Sequence, residues 1–218
     1  MLSLIAFFSE ILSIIFFLCF LNRNKGEGLW VIFFYCIFSV VTENAAFLLR
    51  GKMDRVYLYA AFTICEYTIF AYFFYLSFKK KRIAYVPIVG TVIFYLIAGI
   101  YFTNKNSAGF DSLTASVEAI LIIIYSLVFL YDQIRHTLIT YVYNTKKFWI
   151  VIAFFLYFSS TLFLFLFAAT FTKQEHSYYW VINNFFEILK NALFCVSFAM
   201  KKDNNEKNIF HSLNPDIL

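Results

Sequence analysis

Seven long apolar segments, separated by short polar connectors, constrain the fold of this chain most strongly. Each segment has about 19–24 residues, and a helix of that length crosses the roughly 30 Å hydrocarbon core of a bilayer. No connector is long enough to form a second domain. We therefore predict an all-α, integral membrane seven-helix bundle over residues 1–200, followed by a polar cytoplasmic tail at 201–218. The helices are predicted at about 3–21, 29–49, 56–78, 83–102, 112–131, 148–171 and 178–200.

The composition supports a membrane protein and argues against a soluble one. Hydrophobic residues make up 62% of the chain, and the mean hydropathy is +0.73, which exceeds what a globular core requires. The formal net charge of +5 does not indicate nucleic-acid binding, because the basic residues lie in connectors between apolar segments. In that position they set the orientation of membrane helices.

The distribution of basic residues predicts an outside N-terminus and a cytoplasmic C-terminus. In this orientation the inner connectors and tail contain twelve basic residues, namely Arg23, Lys25, Lys79, Lys80, Lys81, Arg82, Arg135, Lys146, Lys147, Lys201, Lys202 and Lys207. The outer connectors contain five, namely Arg50, Lys52, Arg55, Lys105 and Lys173. The excess of Lys and Arg inside matches the positive-inside rule. The Lys-, Asn-, Phe- and Ile-rich composition favours a bacterial inner (plasma) membrane.

The last apolar segment has a polar face. Five of its central residues fall within an arc of about 120° on a helix, and they are Asn183, Asn184, Glu187, Lys190 and Asn191. Ionisable side chains at membrane depth cost about 2.5–3.5 kcal/mol each on insertion scales and mark functional sites by default. This face is therefore predicted to line a functional interior, with Lys190 paired to Glu187 three residues before it.

An internal repeat relates segments 1–3 to segments 5–7. Glu66 aligns with Glu187 when YAAFTICEYTIFAYFFYLSFKKK is set beside WVINNFFEILKNALFCVSFAMKK, and Glu10 aligns with Glu118 when FFSEILSIIFFLCF is set beside ASVEAILIIIYSLVFL. The second and sixth segments both open on a Trp-aliphatic run. These matches predict two parallel three-helix repeats joined by a linker helix, which is one of the duplicated transporter plans. In this linker helix, Gly90 and Gly99 are predicted to allow close helix packing.

This arrangement resembles the SWEET sugar transporters and PQ-loop proteins, and more loosely the seven-helix microbial rhodopsins. The resemblance lies in the plan of the helices and implies a membrane bundle with a central binding site. The chain has no Pro-Gln dipeptide, so the resemblance implies nothing about sugar specificity. A retinal chromophore on Lys190 is not expected, since the sixth segment lacks the central Trp and Pro of that pocket.

Five glutamates are predicted to form one polar layer. Counted from the outer helix ends, Glu10, Glu43, Glu66, Glu118 and Glu187 all lie roughly 9–15 Å deep. Only Lys190 is available within the membrane to balance them, so some must be protonated or neutralised by a bound cation. Glu10 and Glu43 also lie near enough to the outer surface for a purely interfacial role.

The predicted function is a small transporter or binding protein for a polar or cationic solute. Transport linked to proton movement is one version of this prediction. The binding residues are predicted to be Glu66, Glu187, Lys190, Asn183, Asn184, Asn191, Glu43, Glu118 and Glu10. The alternatives are a seven-helix sensor, which would signal to a protein partner through the loop at 132–147 or the tail, and an accessory subunit. The sequence predicts no enzyme, cofactor or metal site, because it contains no His-Glu metal motif and no Ser-His-acid set.

Overall fold

The computed structural model is all-helical over the residues that it describes, which are 2–25, 28–49, 55–78, 80–104, 112–136, 143–167 and 170–201. Eight α-helices and no β-strand occur in these ranges. They are α1 (Leu2–Cys19), α2 (Leu21–Asn24), α3 (Trp30–Leu48), α4 (Arg55–Ser77), α5 (Lys81–Asn104), α6 (Ser112–His136), α7 (Lys146–Phe167) and α8 (Lys173–Ala199). Residues 137–142 of the loop at 132–147 and nearly all of the tail at 201–218 lie outside the described residues.

The prediction of seven long apolar helices is confirmed. All helices except the four-residue α2 are long and apolar enough to cross a membrane. The largest differences lie at three helix ends: α6 continues to His136 instead of 131, α7 ends at Phe167 instead of 171, and α8 begins at Lys173 instead of 178. The early start of α8 has a local cause, because Thr172 and Glu175 form a capping box at its N-terminus and satisfy backbone groups there.

The long helices pack largely in the order of the chain. Helix α1 contacts α3 and α8, and the sequence of contacts then runs from α3 to α4, from α6 to α7 and from α7 to α8. Helix α4 contacts α6 directly and closes the ring. Helix α5 contacts both α4 and α6, so it lies outside the ring that the other six long helices form.

Helix α5 approaches the ring through Gly90. A Cβ atom at this position would collide with the hydroxyl of Tyr125, and that hydroxyl lies 2.8 Å from the hydroxyl of Tyr67. Gly90 therefore serves close packing, as predicted. The same prediction is wrong for Gly99, because no atom of another helix within the described part of the chain lies within 4 Å of where its Cβ would be.

Aromatic rings fill one half of the bundle. This half contains the C-terminal parts of α1, α4 and α8 and the N-terminal parts of α3 and α7. Phe17 lies 4.4 Å from Phe33 and 5.1 Å from Phe198 between ring centroids, and Phe70 lies 4.3 Å from Phe154. Aromatic pairs of this kind contribute about 0.5–1.5 kcal/mol beyond the area that they bury. The packed rings fill this half, and the cavity described below lies in the opposite half.

The aromatic half ends in a buried lysine. Lys146 opens α7, and its ammonium donates to the backbone carbonyl of Arg23 at 2.6 Å and to the side-chain carbonyl of Asn24 at 2.9 Å. The Ser197 hydroxyl in turn donates to the backbone carbonyl of Lys146. These bonds tie α2, α7 and the end of α8 together. They give the short helix α2 a structural role at the closed end of the bundle.

Candidate functional site

A cavity of about 950 Å³ occupies the half of the bundle opposite the aromatic core. Its walls come from the N-terminal parts of α1, α4 and α6, the C-terminal parts of α3 and α7 and the N-terminal and central parts of α8, and Tyr35 of α3 lies at its deep end. The polar residues that line it are Ser3, Tyr35, Ser39, Thr42, Glu43, Asn44, Tyr59, Thr63, Glu66, Glu118, Tyr157, Asn183, Asn184, Glu187 and Lys190. Glu43 and Asn44 are exposed, whereas Glu66 and Lys190 are buried, so the cavity leads from an exposed mouth to a buried floor.

A chain of three side chains connects α8, α3 and α4 at the floor of the cavity. The Lys190 ammonium donates to the Tyr35 hydroxyl at 2.7 Å, and the Tyr35 hydroxyl donates to a carboxylate oxygen of Glu66 at 2.8 Å. Lys190 is 2% exposed and Glu66 is 9% exposed. Because an ion at such a site is costly without partners, the tyrosine hydroxyl is the link that makes a buried cation and a buried acid compatible.

Lys190 has further partners around its ammonium group. Its nitrogen lies 3.9 Å from a carboxylate oxygen of Glu187, which confirms the predicted pairing of these two residues. The nitrogen also lies 4.4 Å from the ring centroid of Tyr157 and 5.1 Å from that of Tyr35, within the range of cation–π attraction. The shorter, direct hydrogen bond is with Tyr35, so the principal partner comes from another helix.

Asn183 is fixed in the wall above this floor. The Tyr157 hydroxyl donates to the side-chain carbonyl of Asn183 at 3.1 Å, and both residues are buried or nearly so. The bond joins α7 to α8. Because an amide oxygen has two lone pairs, the Asn183 carbonyl keeps capacity to accept one further hydrogen bond from a ligand.

Three carboxylates meet beside the cavity, between α1, α3 and α8. One carboxylate oxygen each from Glu10, Glu43 and Glu187 lies within 4.8 Å of the others. Glu10 is 2% exposed, and one of its oxygens accepts a hydrogen bond from Ser39 at 2.6 Å. Its other oxygen is buried and has no hydrogen-bond partner. This arrangement has the oxygen donors that a hard cation needs.

The described residues that line the cavity carry an excess of negative charge. Four of them are glutamates, namely Glu43, Glu66, Glu118 and Glu187, and Lys190 is the one basic residue among them. The formal sum is therefore three negative charges when all four acids are ionised. In a low dielectric such an excess attracts a cation or protons.

The structure brings most of the predicted site residues together. Seven of the nine line the cavity, namely Glu43, Glu66, Glu118, Asn183, Asn184, Glu187 and Lys190. Glu10 lies behind the wall, in contact range of Glu43 and Glu187. Asn191 is placed elsewhere: its amide donates to the Ser9 hydroxyl at 2.9 Å, and its backbone carbonyl accepts from Ser13 at 3.1 Å. Asn191 thus joins α1 to α8 rather than lining the cavity.

Sequence reasoning missed the two tyrosines that organise this site. Tyr35 and Tyr157 hold Lys190, Glu66 and Asn183 in place. The chain contains 16 tyrosines, most of which suit an interface, so residue type gave no signal. The sequence placed Glu10, Glu43 and Glu187 in one layer, but it did not show that these three of the five glutamates cluster, because they come from distant segments and form no local motif.

No protein-family model, curated protein or solved structure matches this chain.

Proposed function

We propose that this protein is an integral membrane protein that binds a small polar solute, preferably a cation, in the acidic cavity and carries it across the membrane. The observation that carries the proposal is the cavity itself, with four glutamates and one lysine among its described lining residues. Ionisable groups inside a membrane bundle mark solute and proton pathways.

The size of the cavity supports a small organic solute. Ligand pockets typically enclose about 300–1,000 Å³, and this cavity has about 950 Å³. Aromatic side chains share the walls with the acids, among them Phe62, Tyr157, Phe158 and Trp180. Acids and aromatic faces together favour an organic amine or ammonium compound, since both attract positive charge while the rings accept its apolar parts.

Proton linkage follows from the same charges. When a cation leaves the cavity, Glu66 and its neighbours lose the charge that balanced them. A proton is the smallest replacement, so release of the solute would be coupled to proton uptake. Glu66 is the strongest candidate for this exchange, because it is buried at the floor and connected to Lys190 through Tyr35.

The orientation and the repeat belong to the same proposal. With the N-terminus outside and the C-terminus in the cytoplasm of a bacterium, the cavity opens to the outer side and the aromatic half faces inward. The contacts α1–α3, α3–α4 and α1–α8 have counterparts in α6–α7, α7–α8 and α4–α6. This pairing supports two parallel three-helix repeats with α5 as the linker.

Solute flux into proteoliposomes tests the proposal. We expect uptake of at least one small amine from a panel of cationic, neutral and anionic solutes, driven by a proton gradient. Glu66→Gln should abolish uptake, whereas the matched control Glu175→Gln, at an exposed position outside the cavity, should not change it. Absence of both binding and flux for every cationic solute would contradict the proposal.

Binding without flux would favour the sensor instead. In that case the ligand would occupy the same cavity, and a protein partner would read the signal through the segment at 132–147 or the tail. The flux assay and an equilibrium binding assay on one preparation therefore separate the two functions.

A further inference from the structure

The three carboxylates of Glu10, Glu43 and Glu187 form a cluster that is separate in chemistry from the cavity floor. One oxygen from each lies within 4.8 Å of the other two, and the three residues come from three different helices, α1, α3 and α8. An acidic cluster alone does not make a site. Here a second observation points to a ligand, because Glu10 is 2% exposed and one of its carboxylate oxygens has no hydrogen-bond partner.

Glu10 is held in position for such a ligand. The Ser39 hydroxyl donates to one oxygen of the Glu10 carboxylate at 2.6 Å, which fixes the orientation of the group. The two oxygens belong to one planar carboxylate, so the unpartnered oxygen is held at the cluster too. A buried carboxylate oxygen without a partner is costly, and a cation among the three glutamates would remove that cost.

The charges favour a divalent ion. Glu10, Glu43 and Glu187 contribute three formal negative charges, and Lys190 contributes one positive charge at 3.9 Å from Glu187. The sum of these four groups is −2, which one divalent cation balances. The Lys190 ammonium does not fill the cluster, because its direct hydrogen bond is with Tyr35 at 2.7 Å.

The spacing of the oxygens favours a large, flexible coordination shell. Calcium binds carboxylate oxygens at about 2.3–2.6 Å, so oxygens on opposite sides of it lie up to about 5 Å apart. Magnesium requires about 2.0–2.1 Å in near-ideal octahedral geometry, which is a stricter demand on three carboxylates that come from three different helices. Oxygens within 4.8 Å of one another lie inside the span of a calcium shell, and the flexible geometry of calcium tolerates ligands from separate helices.

We propose that Glu10, Glu43 and Glu187 form a calcium-type cation site between α1, α3 and α8, with Ser39 orienting Glu10. The site is distinct from the proposed organic-solute floor at Glu66 and Lys190. It does not depend on transport, because a cation bound here would join three helices whether or not a solute moves. A bound ion would brace the packing of α1 against α3 and α8 beside the cavity.

Equilibrium dialysis of the purified full-length protein with radioactive calcium tests this site. We expect one saturable calcium ion per chain. Glu10→Gln should weaken binding by about tenfold or more, because it removes one anionic ligand. Glu118→Gln is the matched control: Glu118 is equally buried at 2% exposure and lines the same cavity but is outside the cluster, so calcium binding should persist. Magnesium should compete poorly.

A thermal melt of each variant provides the second measurement. Calcium should raise the melting temperature of the wild type and of Glu118→Gln but not that of Glu10→Gln, because a ligand stabilises only a state that binds it. Folded wild-type protein that binds no calcium up to about 10 mM, or an equal loss in both variants, would overturn the site. Those results would leave organic-solute flux untouched, whereas loss of flux with calcium binding intact would overturn only the proposed function.

Discussion

Replacing Tyr35 by phenylalanine removes the one oxygen atom that joins Lys190 to Glu66. The hydroxyl accepts from Lys190 at 2.7 Å and donates to Glu66 at 2.8 Å. Hydrogen bonds to charged groups contribute about 1.5–3 kcal/mol each in soluble proteins, whereas side-chain hydrogen bonds between membrane helices average about 0.6 kcal/mol. Two bonds therefore bracket the loss between about 1 and 6 kcal/mol.

We expect Tyr35→Phe to lower the free energy of unfolding by about 2–4 kcal/mol, which is more than twice the average hydrogen bond between membrane helices. The reason is charge: the hydroxyl bonds to two ionisable groups, Lys190 and Glu66, and hydrogen bonds to charged groups contribute more than neutral ones. Tyr67→Phe is the matched control. Tyr67 is also fully buried, but its hydroxyl meets neutral hydroxyls, those of Tyr125 at 2.8 Å and of Thr91, and no charged group among the described residues, so its loss should cost about 1 kcal/mol.

Reversible unfolding in mixed detergent micelles, followed by tryptophan fluorescence, measures both variants. A double-mutant cycle of Tyr35→Phe with Lys190→Met isolates the link itself, and we expect a coupling energy of about 1–3 kcal/mol. A Tyr35→Phe loss no larger than that of Tyr67→Phe, or a coupling energy below about 0.5 kcal/mol, would refute the interpretation of Tyr35 as the link between the two charges.

Two further predictions concern helix packing and a helix end. Gly90→Ala should destabilise the fold by about 1–3 kcal/mol, because the added Cβ would collide with the Tyr125 hydroxyl. Gly99→Ala should not destabilise it, because the added Cβ meets no atom of another helix within 4 Å in the described part of the chain. Thermal melts of the two variants compare them directly. At the start of α8, hydrogen bonds from the backbone and hydroxyl of Thr172 lower the pKa of Glu175 below its usual 4.5. The ionised carboxylate therefore stabilises the helix end above pH 4.5. This contribution is lost as the pH falls through the lower pKa of the folded state. Thr172→Ala should therefore lower the free energy of unfolding by about 1 kcal/mol near neutral pH and by less at about pH 3. Thermal melts that show the same loss of stability at the two pH values would contradict this account.

The fold was largely predictable because membrane-length helices have a strong signal. Segment length and hydropathy identify all seven long helices, since each must satisfy its own backbone and bury a long apolar surface. Helix ends follow other rules. The start of α8 at Lys173 depends on the Thr172–Glu175 capping box, a polar motif in the sequence TKQE that hydropathy does not detect.

The site was predictable in its charges but not in its connections. Glu66, Glu187 and Lys190 stand out in the sequence because ionisable residues are rare within apolar helices. Which groups join them depends on how distant helices pack, and neither Tyr35 nor the clustering of Glu10 with Glu187 has a spacing that a sequence pattern could reveal. Asn191 lies inside the polar arc, between Glu187 and Asn184 in angle, yet its amide meets Ser9 of α1, because the face of a helix does not reveal which neighbouring helix each residue meets.

The charge and hydration of the cavity are tested most directly by the reaction rates of a single cysteine with charged reagents. Thr63 lines the cavity, and Thr63→Cys is placed in a background where the four native cysteines are serine. The purified protein in nanodiscs is treated with a cationic and an anionic methanethiosulfonate of similar size. The ratio of their rates is compared with the ratio for a free thiol in solution.

The occurrence of the reaction reports whether the cavity is hydrated, and the ratio of the two rates reports its charge. A hydrated cavity with excess carboxylates should let the cationic reagent react, and should raise its advantage over the anionic reagent by about tenfold or more relative to the free thiol. Equal relative rates, or no modification by either reagent, would contradict the central claim that the cavity is a hydrated, acidic binding site for a cation.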